Sequence, residues 1–317
     1  MQSHKNKIIC FGEMLWDMLP TGKMPGGAPM NVAIQLKNMG NNAVIISRVG
    51  TDDLGNELLR FIKDNGLSTQ FIQHGQTHLT GVVKVNIEDK NNVSYKIVKP
   101  VAWDYIGVEN DALEAVKHSD CFVFGSLSAR SEETFNTLKI LLEVAKFKVL
   151  DINLRPPYYN KETITFLLKK ADFLKLNHLE LDEISGWFCT KGTIQENLNH
   201  LSELFNIDTI CVTQGEDGAM LLHQKEFFHS SGFVVDVVDT IGSGDSFLAS
   251  FISNFLKNVA LENALIEACA VGAFVATHHG ASPLISKEQI QLLILFQDGL
   301  CYLTTINRSL ITSIFRI

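Results

Sequence analysis

Short apolar runs alternate with helix-like segments along most of this sequence. The runs that predict strands are 8–12, 44–49, 121–124, 149–152, 173–176, 210–213, 220–222 and 233–238. Segments with apolar residues at helical spacing lie between them, among them 31–39, 54–64 and 261–277. This alternation predicts an α/β fold in which helices cover both faces of a mostly parallel sheet. Ligands of such folds bind at the carboxyl ends of the strands.

The composition narrows the class of partner. The chain has 317 residues, is 46% hydrophobic and 20% charged, and carries a net charge of −8 without a basic stripe, so we expect no nucleic-acid partner. No apolar run approaches the length of about 20 residues that spans a membrane, and the first residues lack a secretory leader. Six cysteines without a CxxC spacing favour reduced thiols. We expect a cytoplasmic protein with no membrane partner.

One region breaks the alternation of strands and helices. Residues 80–87 and 93–98 alternate apolar and polar side chains and are joined by 88–92, which predicts an antiparallel hairpin with one face in water. A lone hairpin is marginal in water, so it must pack on its own domain as a lid or on a second subunit as a homodimer. The last stretch, 298–317, fits neither pattern.

The strongest chemical signal is the segment 239–245, Asp-Thr-Ile-Gly-Ser-Gly-Asp. It follows the predicted buried strand 233–238 and precedes an amphipathic helix, so the turn delivers the chain onto a helix N-terminus, where amides and the helix dipole favour an anion. A carboxylate such as Asp245 repels a resting phosphate. It makes sense there if it removes a proton from a hydroxyl that attacks the phosphate, which indicates phosphoryl transfer to an alcohol.

A second signal is the segment 26–33, Gly-Gly-Ala-Pro-Met-Asn-Val-Ala. Gly26 and Gly27 allow close approach of the backbone to a ligand, and the Asn31 amide can both donate to and accept from a hydroxyl. Asp17, in the loop predicted after the first strand, can accept hydrogen bonds from a polyol. Turn and cap chemistry is the alternative interpretation of Asp17 and Asn31.

Two other nucleotide-binding motifs are absent from the sequence. Thr21-Gly22-Lys23-Met24 lacks the earlier glycine and the hydroxyl of a P-loop, and no Gly-x-Gly-x-x-Gly follows the first strand.

Both signals together resemble a known family. Residues 26–33 with Gly40 and Gly50, and residues 239–252, are similar to the two signatures of the ribokinase-like (PfkB) carbohydrate kinases, except that Ser250 stands where Gly or Ala is usual. The resemblance covers about residues 7–295, and the segments 12–17 and 151–157 are most similar to bacterial fructokinases. It implies a ribokinase-like three-layer α/β/α kinase domain over 1–297, with lid segments at about 13–27 and 70–104 and a C-terminal extension at 298–317.

The resemblance also implies roles for matching residues. Asp245 matches the catalytic base, and the amides of Gly242, Ser243 and Gly244 match the hole that stabilises the transferred phosphoryl group. Sugar-binding positions are matched by Asp17, Gly26, Gly27 and Asn31. Nucleotide-binding positions are matched by Asn177, Thr213, Gly215, Gly218, Gly242 and Gly244. Asn177 and Glu180 match a motif that organises Mg²⁺ and phosphate through water. By themselves, 177–180 also fit a helix-start capping pattern and 213–218 a hairpin turn.

Two further residues keep two interpretations each. Arg155 could bind a γ-phosphate or a sugar hydroxyl through paired donors, or form a structural salt bridge. Trp103, which follows the hairpin, could cover a sugar face or pack on the surface.

The expected function is transfer of the γ-phosphate of Mg-ATP to a small sugar, with fructose as the first candidate. Kinases of ribose, a keto-deoxy sugar acid or a nucleoside are the alternatives within the family, and a non-catalytic sugar sensor is the alternative outside catalysis. A monovalent cation such as K⁺ near Asp239, Thr240 and 280–282 is a further implication of the resemblance.

Overall fold

A computed structural model describes residues 5–89, 92–188 and 192–297 of the chain. The chain forms two compact units, Met1–Leu174 and Lys175–Ile317. The C-terminal extension proposed at 298–317 lies outside the described residues.

The first unit is built on a parallel sheet. Its elements are β1 (Lys7–Phe11), β2 (Leu15–Leu19), β3 (Gly22–Gly26), α1 (Ala28–Asn38), β4 (Asn42–Gly50), α2 (Asp53–Asp64), β5 (Ile72–Gly75), β6 (Gly81–Asp89), β7 (Asn92–Ile97), α3 (Asn110–Lys117), β8 (Cys121–Gly125), α4 (Glu132–Val144), β9 (Lys148–Asp151) and α5 (Lys161–Leu168). The strand order is β9-β8-β1-β4-β5, and each of these neighbouring pairs is parallel. The predicted α/β class is confirmed.

The apolar runs of this sheet are buried on both faces. Ile8, Ile9, Cys10 and Phe11 of β1 are all 0% exposed, as expected for a strand covered on both faces by helices. The predicted helix 54–64 is confirmed as α2. The Asp52 side chain accepts from Gly55 N at 2.8 Å and caps it, and the chain leaves the helix through Gly66 at φ 72°.

A second, smaller sheet contains the predicted hairpin. β6 and β7 are antiparallel, and the hairpin prediction is confirmed. The strand order β3-β2-β6-β7 adds two strands that the sequence pattern did not predict, with β2 parallel to β6. Asp17 therefore lies within a strand, and the prediction of a strand-end loop there was wrong. The reason is that β2 gains backbone partners on both edges, from β3 and from β6.

The second unit continues the α/β pattern and ends in an antiparallel edge. Its elements are β10 (Phe173–Asn177), which begins just before the unit boundary, α6 (His178–Trp187), α7 (Ile194–Phe205), β11 (Thr209–Thr213), β12 (Ala219–His223), β13 (Glu226–Ser230), α8 (Ser243–Phe255), α9 (Leu261–Ala276) and α10 (Lys287–Gln297). The strand order is β13-β12-β11-β10, and β12 is antiparallel to both β11 and β13.

The segment 233–238 does not form the predicted buried strand. Val234 is 88% exposed and Val237 is 62% exposed. The backbone amides at the end of this segment bond to a helix instead of a strand, since Val238 N and Asp239 N donate to Ala276 O at 2.8 and 3.2 Å. The edge position after β12 is taken by β13, which the sequence pattern did not predict.

The longest helix within the described part of the second unit is an internal one. α9 has 16 residues, and its buried residues run from Ala264 to Ala276 on most of its sides, as the sequence predicted for 261–277. No helix within 5–89, 92–188 and 192–297 is both long enough and apolar enough to cross a bilayer.

The cysteines that the structure describes are buried free thiols: Cys10, Cys121, Cys211 and Cys269. Burial raises the pKa of the Cys269 thiol to about 11, and it raises the pKa of Cys10, Cys121 and Cys211 as well. Such thiols are protonated and unreactive at neutral pH. The prediction of reduced cysteines is confirmed for these four, while Cys189 and Cys301 lie outside the described residues.

Candidate active site

The start of α8 is fixed by a glycine that no other residue could replace without strain. Gly242 is the N-cap of α8 and has a left-handed backbone, with φ 77° and ψ −3°. A Cβ atom there would lie 2.5 Å from Ala281 O and 2.6 Å from Ala281 Cβ. Both the positive φ and the lack of space therefore require glycine, and the first turn of α8 is held against the 280–282 turn.

Asp245 lies in this first turn of α8 and is half-buried, like the rest of 241–245. The N-terminal amides of a helix lack partners within the helix and carry its positive dipole end. In this turn, Ser243 N donates to Thr240 O at 3.2 Å and Ser246 N to Gly242 O at 2.8 Å. Ser243 Oγ donates to Gly272 O at 2.8 Å, so the serine hydroxyl anchors the turn to α9.

A buried lysine that the sequence analysis did not single out lies beside the same turn. Lys175, in β10, is 7% exposed, and its Nζ atom lies 3.2 Å from the position that a Cβ of Gly244 would take. A buried ammonium group is costly unless charges or hydrogen bonds compensate it. The sequence does carry a signal for it, because Lys175 is the one charged residue in the strand Phe-Leu-Lys-Leu-Asn.

The structure places Asn177 and Glu180 in a reciprocal capping box at the start of α6. Glu180 N donates to Asn177 Oδ1 at 2.9 Å, and Asn177 N donates to Glu180 Oε2 at 2.8 Å. The capping interpretation of this motif is therefore confirmed. A carboxylate suits Mg²⁺, which keeps several waters. Glu180 is only 6% exposed and its Oε2 accepts from Asn177 N, so its contact to magnesium through water stays a prediction.

A cluster able to hold a metal without help from substrate is not present in the described ranges, where no group of three His, Cys, Asp or Glu side chains converges.

The segment 213–218 forms a tight turn between two antiparallel strands. β11 ends at Thr213 and β12 begins at Ala219, and Gln214 N donates to Gly218 O at 2.8 Å. Gly215 and Gly218 have φ values of 62° and 88°, which glycine adopts without strain. The hairpin interpretation is confirmed, and any contact to a nucleotide stays a prediction.

Asp239 ties the α8 turn to the turn at 280–282 that follows α9. Its Oδ1 accepts from Ile241 N at 3.0 Å, and its Oδ2 accepts from Gly280 N at 3.3 Å. Ser282 Oγ is buried and has no hydrogen-bond partner among the described residues. The Asp239 carboxylate thereby joins two backbone turns, and a monovalent cation there stays a prediction.

In the first unit, the predicted sugar-binding residues meet where β3 leads into α1. The Asp17 carboxylate lies over Gly26, at the place that a Cβ atom of Gly26 would occupy. Gly27, with φ 117°, is the N-cap of α1, and a Cβ there would collide with Glu13 O. Asn31 lies in the first turn of α1 and is 4% exposed. The helix begins at Ala28, three residues earlier than predicted, because Pro29 suits a first turn.

The segment 151–155 lies beside the start of α1. Asp151 and Asn153 line a small cleft together with Ala28 and Pro29, at the carboxyl ends of β8 and β9. Arg155 is exposed, and its Nη1 donates to Leu154 O at 3.0 Å. The predicted roles of Arg155 in phosphate or sugar binding stay predictions.

Trp103 takes a position that neither interpretation of the sequence predicted. The side chain is 0% exposed, so it is not a surface aromatic, and the ring offers no face to a ligand in this structure. The Arg130 guanidinium stacks on it with 3.7 Å between Cζ and the ring centroid. The sequence pattern missed this because Trp103 follows the hairpin in a short 3₁₀ turn, Ala102–Tyr105, for which periodicity gives no burial signal.

Comparison with known proteins adds the family context. The sequence profile of the pfkB family carbohydrate kinases matches residues 7–288. Fructokinase-2 of Oryza sativa subsp. japonica is 31% identical over 313 residues, covering 88% of this chain and 91% of that protein.

Two solved structures share the fold. Fructokinase with bound ATP from Xylella fastidiosa has a TM-score of 0.81 at 21% identity, covering 93% of this chain and 100% of that chain. A double mutant of fructokinase from Vibrio cholerae O395, bound to fructose, ADP and potassium ion, has a TM-score of 0.78 at 22% identity, with the same coverage of 93% and 100%.

Replacing Gly242 tests the constraint at the start of α8. Gly242→Ala should lower the free energy of unfolding by about 1–3 kcal/mol from the left-handed backbone, and more where the methyl group meets Ala281. Gly186→Ala is the matched control: Gly186 lies within α6 with open space around it, so alanine should raise stability by about 0.5–1 kcal/mol. Chemical denaturation measures both. Equal stability of Gly242→Ala and wild type would contradict the strained turn.

Proposed function

The chain belongs to the pfkB family of carbohydrate kinases, phosphotransferases that act on a sugar hydroxyl, and we propose that it is an ATP-dependent fructokinase. The observation that carries the proposal is the first turn of α8, where a half-buried carboxylate stands among helix N-terminal amides. The similarity to fructokinase-2 of Oryza sativa subsp. japonica supports fructose as the acceptor.

The proposed reaction uses Asp245 as general base. Its carboxylate takes the proton from a sugar hydroxyl, whose oxygen forms a bond to the γ-phosphorus of ATP while the bond to the β,γ-bridging oxygen breaks. The amides of Gly242, Ser243 and Gly244 donate to the transferred phosphoryl group, after Ser243 N exchanges its long bond to Thr240 O. Lys175, beside Gly244, adds positive charge where negative charge develops.

The proposed sugar contacts come from the first unit. Asp17 accepts two hydroxyl hydrogen bonds, Asn31 donates and accepts, and the missing side chains of Gly26 and Gly27 allow the sugar to approach the backbone. The exposed Arg155 adds paired donors for a sugar hydroxyl or a phosphate oxygen.

The proposed nucleotide contacts come from the second unit. The turn 213–218 and the amides of Gly242 and Gly244 contact ATP, while Asn177 and Glu180 hold Mg²⁺ through water. Mg²⁺ neutralises phosphate charge when it is bound. The Asp239 turn binds K⁺, in keeping with the potassium ion in the fructokinase of Vibrio cholerae O395.

The proposed domain plan treats 1–297 as one kinase domain. The segments at about 13–27 and 70–104 form a lid over the sugar, which lowers the water available as a competing acceptor. A homodimer formed through the small sheet that contains the β6–β7 hairpin is part of the same proposal.

A sugar sensor on this fold is the second candidate function. The acid at Asp245 speaks against it, because sugar binding alone needs no base.

A substrate panel tests the proposed reaction. The kcat/KM for ADP release from Mg-ATP should be highest with fructose. It should be lower with ribose, a keto-deoxy sugar acid and a nucleoside. Mass spectrometry of the product should show one added phosphoryl group. A higher kcat/KM for another acceptor would make that acceptor, and not fructose, the proposed substrate. Sugar binding without ADP release in the presence of any acceptor would favour the sensor.

Neutralising Asp245 tests the base. Asp245→Asn should lower kcat by at least about a hundredfold, the lower end of general-base effects, while the melting temperature shows a folded protein. Asp208→Asn makes the same charge change at an exposed residue of the same unit and should leave kcat unchanged. Near-normal turnover of Asp245→Asn would remove this residue from the mechanism.

Comparison of two capping boxes tests whether Asn177 only caps α6 or also contributes to nucleotide binding. Thr193 and Glu196 form the same reciprocal box at the start of α7. Neither residue is among the proposed nucleotide contacts. Asn177→Ala and Thr193→Ala should each lower the free energy of unfolding by roughly 1 kcal/mol. Only Asn177→Ala should also raise KM for Mg-ATP. An equal KM in both variants would reduce Asn177 to a helix cap.

A further inference from the structure

A buried ion pair lies near the small sheet of the first unit. Arg130 Nε donates to Asp104 Oδ1 at 2.6 Å, and Arg130 Nη2 donates to Asp104 Oδ2 at 2.8 Å. The two side chains are 0% and 1% exposed. Taking both charges out of water costs several kcal/mol per ion, so such a pair is weak evidence for stability. Removing one partner of such a pair leaves the other charge buried and uncompensated.

The guanidinium also lies between aromatic rings. Its Cζ is 3.7 Å from the ring centroid of Trp103 and 4.9 Å from that of Tyr158. We call Trp103, Asp104, Arg130 and Tyr158 the Arg130 cluster. A planar fork that pairs with a carboxylate and stacks on an aromatic ring is geometry that arginine provides and lysine does not.

The cluster contacts the β6–β7 hairpin at two places, the start of β6 and the end of β7, which we call its stems. At the last residue of β7, Tyr158 Oη donates to Ile97 O at 2.5 Å, and just beyond it Arg130 Nη2 donates to Val98 O at 2.8 Å. At the start of β6, a Cβ atom on Gly81 would lie 2.5 Å from Trp103 Nε1. The indole ring therefore lies directly against the Gly81 backbone, and the hairpin is held at both of its stems.

The same contacts continue to the carboxylate proposed to bind the sugar. Leu15 pairs with Gly81 and Asp17 with Val83 in the parallel register of β2 and β6. The Cβ position of Gly81 also lies 3.2 Å from Leu15 Cβ. Because β2 pairs with β6 on one edge and with β3 on the other, a shift of β6 away from Trp103 would carry both strands with it and would displace the Asp17 carboxylate.

We infer that Arg130, held by Asp104, is a positioning residue for sugar binding. It fixes the stems of the hairpin directly and, through Trp103, the strand that carries Asp17. The inference deepens the proposed function and rests on it for the identity of the ligand. It also gives Trp103 a different role from the direct sugar contact expected from the sequence, since the buried ring supports the strand beneath the sugar-binding carboxylate.

The main test is Arg130→Lys, which keeps the charge and loses the fork and the stacking plane. KM for fructose should rise about tenfold to a hundredfold, because a displaced Asp17 carboxylate would lose a charged hydrogen bond to the sugar, while KM for Mg-ATP stays unchanged and kcat falls far less. Tyr158→Phe, which removes one hydroxyl and should fold normally, should raise KM for fructose in the same direction by a smaller factor.

The matched control is Asp172→Asn in the same unit. Asp172 accepts from Lys148 N at 2.8 Å and pairs with Lys148 Nζ at 2.9 Å, at the amino end of β9. Asp104 likewise accepts from a backbone amide, Val101 N at 2.9 Å, and pairs with a cation. Asp172→Asn should lower stability without changing KM for fructose.

Amide hydrogen exchange gives a second readout. Exchange in peptides covering 80–84 and 96–98 should be faster in Arg130→Lys than in wild type, and equal to wild type in Asp172→Asn. An unchanged KM for fructose in folded Arg130→Lys, or parallel changes in Arg130→Lys and Asp172→Asn, would overturn the inference.

The exchange data also separate this inference from the proposed function. If the wild type phosphorylates no sugar, the proposed function fails. Faster exchange confined to the two stems in Arg130→Lys would then still support the positioning of the sheet by Arg130. Equal exchange in both proteins would overturn it.

Discussion

The left-handed backbone at Gly242 is the constraint on which the rest of the proposed chemistry depends. It turns the chain from the Asp239 loop into α8 at a point where Ala281 leaves no room for a side chain. The turn fixes where the amides of the first helical turn face and where Asp245 begins its side chain. A different residue at Gly242 would move the base and the amides together, because both belong to one turn.

A similar constraint operates in the first unit, with a different purpose. Gly26 and Gly27 lack side chains where the Asp17 carboxylate and Glu13 O would collide with a Cβ atom. The backbone therefore comes close to an acid that can accept hydroxyl hydrogen bonds. In the second unit glycine sets a direction for amides, whereas here it creates space beside a carboxylate.

Apolar periodicity and capping residues in the sequence predicted most of the strands and helices whose formation depends on neighbouring residues. The strands β1 and β8 are apolar on both faces, and α2 carries its cap in the sequence, so periodicity and capping residues sufficed. The strand prediction for 233–238 was wrong. The apolar residues of this segment resemble a buried strand, but the amides of Val238 and Asp239 at its end donate to Ala276 O. Only the tertiary position of α9 determines that choice. β2 was missed although its antiparallel partner β3 begins at Gly22, just after it, because its other partner β6 begins only at Gly81.

The predicted site residues divide in the same way. The turn at 242–245 and the capping box at 177–180 follow from local rules and were predicted, while Lys175 and the Arg130–Trp103 stack depend on contacts between distant segments. The most direct test of the central claim is a crystal structure with Mg²⁺, fructose and a non-hydrolysable ATP analogue. The account predicts one fructose hydroxyl within hydrogen-bonding distance of the Asp245 carboxylate, with its oxygen in line with the γ-phosphorus and the γ-phosphate oxygens facing the 242–244 amides. A sugar hydroxyl activated by another group, with the Asp245 carboxylate in solvent, would contradict it.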